Sequence, residues 1–253
     1  MRVFLRWIAL LLIAAAALQI FFLVRIALSA TVDPQSTSFQ RAEAWRIWRQ
    51  KGVLRWRQQW IPYERISDNL KRAVIASEDG SFTNHDGVDW EAVEKAWQRN
   101  NEAEERAARQ RARQAPRARP ASTAPPRVKA PKIVGGSTIT QQLAKNLLLS
   151  GERTLLRKGQ EVVLAFALER MLSKERILEI YLNSVEWGEG VFGAEAAAQH
   201  YYRKSAAHLS AYEAARLAVM LPRPKYFEKL PNSGYLASRA STIVARMGAA
   251  ELP

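Results

Sequence analysis

A chain of 253 residues has room for one substantial domain and an appendage, with a core large enough to hold a cleft. It contains no cysteine, which excludes disulfides, thiolate metal sites and a cysteine nucleophile, and its three histidines, His85, His200 and His208, are too scattered for a zinc motif. The formal net charge is +14, and the missing cysteine leaves the compartment open.

Arg2 and Arg6 flank the start of an apolar run from Trp7 to Val24 that Gln19 alone interrupts, and Arg25 and Ile26-Ala27-Leu28 follow it. A helix of about 20 mostly apolar residues crosses a bilayer, and Arg25 can snorkel to the headgroups. The small residues of Ala27-Leu28-Ser29-Ala30 would also suit a cleaved signal peptide, but the run exceeds the about 7 to 15 apolar residues of a signal core. Residues 1–30 are therefore read as a cytoplasmic tip and transmembrane anchor. Arg2 and Arg6 favour an inside N-terminus, a signal diluted by Arg41, Arg46, Arg49 and Lys51 on the other side.

Residues 31–62 form a juxtamembrane segment in which Trp45, Trp48, Trp56 and Trp60 interleave with Arg41, Arg46, Arg49, Arg55 and Arg57. Such a stretch suits an anionic bilayer surface, and packing of the indoles on the domain explains it equally well. The domain itself is placed at 63–253.

Ser67 is a plausible cap for a helix in which Leu70, Ala73, Val74 and Ser77 recur at helical spacing, and that helix delivers Glu78-Asp79-Gly80-Ser81-Phe82. A carboxylate at the lip of a helix and backed by apolar side chains is partly desolvated, which raises its pKa toward the range useful to a general base. A solvated acidic helix end is the plainer alternative. Gly80 and Gly87 bracket a loop holding Phe82, His85 and Asp86, and a short helix over Val88 to Gln98 follows.

Residues 101–132 carry nine basic side chains against three acidic ones, a local net of +6, with five prolines and almost no large apolar residue. Such a segment cannot bury enough surface to fold alone and is read as a disordered Arg/Ala/Pro-rich insertion. No stacking aromatics accompany it, so attraction to anionic lipid explains the charge better than nucleic-acid binding does.

In Gly135-Gly136-Ser137-Thr138-Ile139-Thr140-Gln141-Gln142-Leu143-Ala144-Lys145-Asn146, Ser137 or Thr138 can cap a helix. Thr138, Gln141, Gln142 and Lys145 share one flank and Ile139, Leu143 and Leu147 another, as expected of one wall of a polar cleft or of an ordinary solvated face. The next helix, Thr154 to Met171, sets Arg157 and Glu161 four apart beside Lys158 and then becomes apolar nearly all round, the mark of a buried helix. Arg157–Glu161 is readable as a surface ion pair or as charge emerging from a core. Further helices end at Asn183, Tyr202 and Pro222 and cover Tyr235 to Met247, and no stretch alternates with period two, so the domain is expected to be mainly α-helical.

In order along the chain, Glu78 to Phe82 with His85-Asp86-Gly87, Gly135 to Asn146, Arg157-Lys158 with Glu161, Arg176 to Asn183, and Arg216 to Pro222 resemble the peptidoglycan glycosyltransferases of lysozyme-like fold, in their monofunctional membrane-anchored form. The resemblance implies a polymerase of lipid II that releases undecaprenyl diphosphate in an inverting single displacement. It implies Glu78 as general base and Glu161 as the second carboxylate, acting through a divalent cation, magnesium or manganese, or by orienting Arg157 and Lys158. Lys145, Arg157 and Lys158 would bind phosphate, while Asp79, Phe82, His85, Ser137, Thr138, Gln141, Gln142 and Asn146 would complete the substrate site. It implies no organic cofactor and no nucleic acid. The partners it implies are lipid II, the nascent glycan strand, an anionic membrane surface and cell-wall synthesis or division proteins. The location it implies is the bacterial cytoplasmic membrane, with the catalytic domain outside.

Two other readings share parts of this pattern. A lysozyme-like hydrolase would need the glutamate but not the cations, and a noncatalytic membrane-anchored adaptor would need the basic insertion alone.

Overall fold

The structure, a computed structural model, describes residues 2–114, 136–149, 151 and 154–253. These fall into two units, Met1–Val88 with Thr138–Pro253, and Asp89–Ser137.

The larger unit begins with α1 (Arg2–Leu28), at 27 residues long and apolar enough to cross a membrane. Its exposed leucines, isoleucines and phenylalanines leave one exception, a patch near the C-terminal end where Phe22 and Ile26 are buried. After α1 come α2 (Ser38–Lys51), β1 (Arg57–Gln58) and α3 (Asp68–Glu78). Thr37 and Gln40 form a reciprocal capping box at the start of α2, and Ser67 caps α3 through the Leu70 amide. Residues 31–62 are thus built into the larger unit: Ile47 is wholly buried, and the Gln40 amide donates to the Ser184 carbonyl at 3.1 Å. The four tryptophans divide. Trp45 and Trp48 lie exposed against each other, whereas Trp56 packs on Phe192 and Trp60 donates to Glu179.

The smaller unit is described through α4 (Trp90–Gln114), which corrects the expectation of a short helix followed by disorder from residue 101. The lack of apolar residues argued against a core, but a helix needs none. Ala, Arg, Glu and Gln are strong helix formers, and Glu102–Arg106 (2.6 Å) and Glu105–Arg109 (3.4 Å) bridge successive turns. The rest of the expected insertion, 115–132, lies outside the described residues.

The larger unit continues with α5 (Ile139–Leu148), α6 (Leu155–Met171), α7 (Lys174–Ser184), β2 (Glu186–Gly188), β3 (Val191–Phe192), α8 (Ala194–Tyr202), α9 (Ala211–Met220), α10 (Pro224–Glu228) and α11 (Gly234–Met247). Helices α3, α9 and α11 pack on one another, and α5 packs on α6 and α7. Their apolar faces meet in one core that includes Leu70, Leu143, Leu164, Ile180 and Leu217. The domain is mainly α-helical, as expected. The small sheet, ordered β1-β3-β2, was hidden from sequence because strands of two or three residues are too short to show alternation. Its tight turn requires Gly190, at φ 74°, where a Cβ would meet the Arg55 carbonyl at 2.5 Å.

The polar interruption in α1 has a partner. Gln19 and Gln160 of α6 exchange amide hydrogen bonds at 3.1 and 2.8 Å. Arg176 then reaches back to the Ser29 carbonyl (2.9 Å) and Asp33 (2.8 Å), fixing the exit of α1 to the start of α7.

Candidate active site

Helix α3 stops at Glu78 because the chain leaves helical geometry at Asp79, which turns its carboxylate inward. Asp79 Oδ2 accepts the Ile139 amide at the first turn of α5 (2.9 Å), where the helix dipole favours an anion. His85 Nε2 donates to the same carboxylate at 3.0 Å. Because His85 Nδ1 accepts the Gly87 amide (3.1 Å), the ring proton sits on Nε2. Thr138 Oγ1 donates to the Gly87 carbonyl (2.6 Å) while capping α5 in a box with Gln141. Lys174 ties the His85 carbonyl to Glu169, which also accepts from Thr140 at 2.6 Å. Phe82 is fully buried with the Lys174 ammonium 4.7 Å above its ring. The result is a satisfied polar brace joining α3, α5, α6 and α7.

Glu78 meets different surroundings. Gln142 Nε2 donates to its Oε2 (3.0 Å), and the Tyr181 hydroxyl donates to Gln142 Oε1 (3.0 Å). The buried Tyr181 thereby fixes the amide so that its NH₂ faces the carboxylate. Desolvation raises the Glu78 pKa above the ordinary carboxylate value; the Gln142 bond opposes this, the Asp79 charge adds to it and Lys145 opposes it. Tyr181 is pushed far upward by its burial, then by Glu78 and Asp79, and stays a neutral donor.

One turn beyond Gln142, Lys145 makes no ion pair among the described residues. Its pKa is lowered by desolvation; Glu161 raises it, Arg157 and Lys158 lower it, and Glu78 raises it. Lys145 therefore lies within the fields of both the α3 carboxylate and the α6 cluster. In that cluster Glu161 is buried, with Arg157 Nη1 at 3.0 Å from one oxygen and Lys158 Nζ at 2.5 Å from the other. Arg157 Nε is buried without a partner among the described residues. Lys145, Asn146 and Arg157 line a hollow of about 240 Å³ with Phe39 and Leu149. Two cationic side chains, Lys145 and Arg157, lining one hollow suit an anion carrying several oxygens.

A metal role for Glu161 does not fit this geometry. Both oxygens are occupied by cationic side chains, and no group of three or more metal-binding His, Asp or Glu exists among the described residues.

The structure brings Glu78, Gln142 and Lys145 together and puts Arg157, Lys158 and Glu161 in Lys145's electrostatic reach. Asp79, Phe82, His85, Thr138 and Gln141 turn into the brace, and Ser137 belongs to the smaller unit. Sequence reasoning missed Tyr181, Glu169 and Lys174 as parts of the site. Tyr181 alone carried a usable signal, a hydroxyl on an otherwise apolar helical face that must find a partner once buried.

Residues 49–110 and 121–248 match the family described as Transglycosylase. A biosynthetic peptidoglycan transglycosylase of Burkholderia thailandensis is 51% identical over 237 residues, covering 94% of this chain and 82% of the relative. Relatives bearing the same name in Paraburkholderia xenovorans and Herminiimonas arsenicoxydans are 47% and 48% identical, covering 98% and 100% of this chain and 94% and 99% of theirs.

Proposed function

The chain belongs to the transglycosylase family, and from that premise we propose that it is a peptidoglycan glycosyltransferase that polymerises lipid II, releasing undecaprenyl diphosphate as each β-1,4 bond forms. The observation that carries the assignment of roles is the pairing of a desolvated carboxylate, held by one amide, with a cationic cluster that shares its field through Lys145.

Glu78 is the general base. It removes the proton from the acceptor 4-hydroxyl as that oxygen attacks the anomeric carbon of the donor, and the bond from that carbon to the diphosphate oxygen breaks. One displacement inverts the centre. The raised pKa matches the task, since a stronger base accepts the proton more readily. The leaving diphosphate needs charge stabilisation rather than protonation. Lys145 and Arg157, which line the hollow, supply it, and Glu161 holds Arg157 and Lys158 in place. No step requires a metal ion. Helix α1 serves as a single-pass anchor in the cytoplasmic membrane, with the catalytic domain on the outer side, where it holds the site near a lipid-borne substrate.

The test is incubation of the detergent-solubilised protein with radiolabelled lipid II, wild type beside Glu78→Gln, with products separated by size. High-mass, lysozyme-digestible glycan from the wild type alone is expected. Polymer from both would remove Glu78 as the base, and polymer from neither would overturn the assigned reaction.

A further inference from the structure

Where α1 leaves the membrane, a groove of about 490 Å³ lies between its last turns and the segment leading into α2. Its helix wall is Phe21, Val24 and Leu28, all exposed and continuous with the apolar surface of the spanning helix. Arg25 and Arg41 also line it.

The acid in the groove is already neutralised. Asp33 lies 2.8 Å from Arg176, which is itself fixed to the Ser29 carbonyl. Arg25 and Arg41 have no carboxylate partner among the described residues. Arg41 is instead oriented by neutral oxygens, the Ser36 carbonyl at 3.1 Å, Ser36 Oγ at 3.0 Å and Ser38 Oγ at 3.2 Å. Arg25 and Arg41 line the same groove, and the lowering of the Arg41 pKa, first by partial burial and then by Arg25, agrees with that placement. Two guanidinium groups lining one groove without a carboxylate partner among the described residues, beside an apolar helix wall, are complementary to a lipid phosphate with an acyl chain along that wall.

We propose that this groove binds an anionic glycerophospholipid, its phosphate between Arg25 and Arg41 and one acyl chain along Phe21, Val24 and Leu28. The site is built from α1 and the entry to α2, whereas the catalytic groups come from α3, α5 and α6. A bound lipid would supply the anion that neither arginine has among the described residues and fix the angle at which the domain meets the bilayer. The inference rests on α1 spanning the membrane.

Native mass spectrometry of the full chain in detergent micelles tests it, titrating dioleoyl phosphatidylglycerol against dioleoyl phosphatidylcholine and undecaprenyl diphosphate. The wild type should prefer phosphatidylglycerol to phosphatidylcholine by about tenfold or more, as two unopposed cations near a headgroup imply. R25Q/R41Q should lose that preference, R25K/R41K should keep most of it, and R49Q, elsewhere on α2, should match the wild type. A preference retained by R25Q/R41Q, or absent from the wild type or R25K/R41K, overturns the site. Undecaprenyl diphosphate displacing phosphatidylglycerol in the wild type but not in R25Q/R41Q would give the groove to the substrate and overturn the phospholipid assignment. Flotation with phosphatidylcholine vesicles separates the premise from the inference: a wild type that stays in the dense fraction removes the anchor and the lipid site together, whereas one that floats without headgroup preference removes the lipid site alone.

Discussion

Glu78 and Asp79 are consecutive carboxylates at the end of one helix, yet they belong to two regions of opposite character. Asp79 sits in a network where the described polar atoms are matched, with the His85 ring, the Ile139 amide and the Thr138 cap joined through Gly87. Glu78 accepts a side-chain hydrogen bond from Gln142 and lies in the field of Lys145, which makes no ion pair among the described residues. A saturated network rigidifies, because moving any member strands a buried partner. An unsaturated one keeps capacity for a substrate. The difference predicts that mutations on one side will be read in rate and those on the other in stability.

The largest effect expected from breaking this comparison is that of Glu78→Gln. Removing a general base should slow polymerisation by about 10²- to 10⁴-fold, with lipid II binding retained. The sign on stability is the reverse. A carboxyl whose folded pKa is raised contributes stability that is fully present below its unfolded pKa and is lost as pH rises through the folded value. Above that folded value the ionised Glu78 therefore costs stability, and in that pH range Glu78→Gln should melt at a higher temperature than wild type while losing turnover. A lower melting temperature would mean that the carboxylate belongs to the brace.

Asp79→Ala should do the opposite. It leaves the His85 N–H and the Ile139 amide without their acceptor, a loss of about 3 kcal/mol. For a domain of this size that lowers the melting temperature by about 6 to 12 °C, measurable by circular dichroism in detergent. At a temperature where the variant is still folded, its turnover should fall far less than that of Glu78→Gln. A loss of turnover equal to Glu78→Gln without a change in melting would transfer Asp79 to the catalytic side.

The contrast between the two carboxylates also marks what sequence could and could not convey. Helix positions followed from local rules, as with Ser67 capping α3, Thr138 capping α5 and the apolar run of α6, because caps and periodicity are encoded within a turn or two. The desolvation of Glu78 was anticipated from the apolar residues behind it. The inward turn of Asp79 was not, since its partners lie 6 and 60 residues away, at His85 and Ile139. Thr138 and Gln141 share the polar flank of α5 with Gln142 and Lys145, and helical spacing alone could not distinguish cap from cleft wall. The 101–114 helix was missed for the opposite reason: a criterion for burial was applied to an element that needs none.

Lys145 sharpens the comparison at its electrostatic edge. Lys145→Ala should raise the KM for lipid II by about tenfold or more at low ionic strength, with the gap narrowing as salt rises, because a charge-assisted phosphate contact is lost. The pH profile adds a second reading. Glu78 must be ionised to accept a proton, so the acid limb should lie above the ordinary glutamate range; Lys145 must be protonated to meet phosphate, so the alkaline limb should lie below the ordinary lysine range. Lys145→Arg should move the alkaline limb upward and leave the acid limb in place. An unchanged alkaline limb would separate Lys145 from the diphosphate.

The smallest effect falls on the residue that touches both regions indirectly. Tyr181→Phe removes one hydroxyl, and with it the bond that fixes which end of the Gln142 amide faces Glu78. Losing a neutral hydrogen bond costs about 1 kcal/mol, or about fivefold in a rate if the whole cost is felt in the transition state. A residue that acts through Gln142 should lower kcat more than it raises KM and should shift the acid limb of the pH profile, because a freely rotating Gln142 opposes the desolvation of Glu78 less well. Since Gln142 lowers the Glu78 pKa, its loosening should move that limb upward. A Tyr181→Phe enzyme with a lower melting temperature but an unmoved acid limb would reduce Tyr181 to core packing and leave Gln142 held by other means.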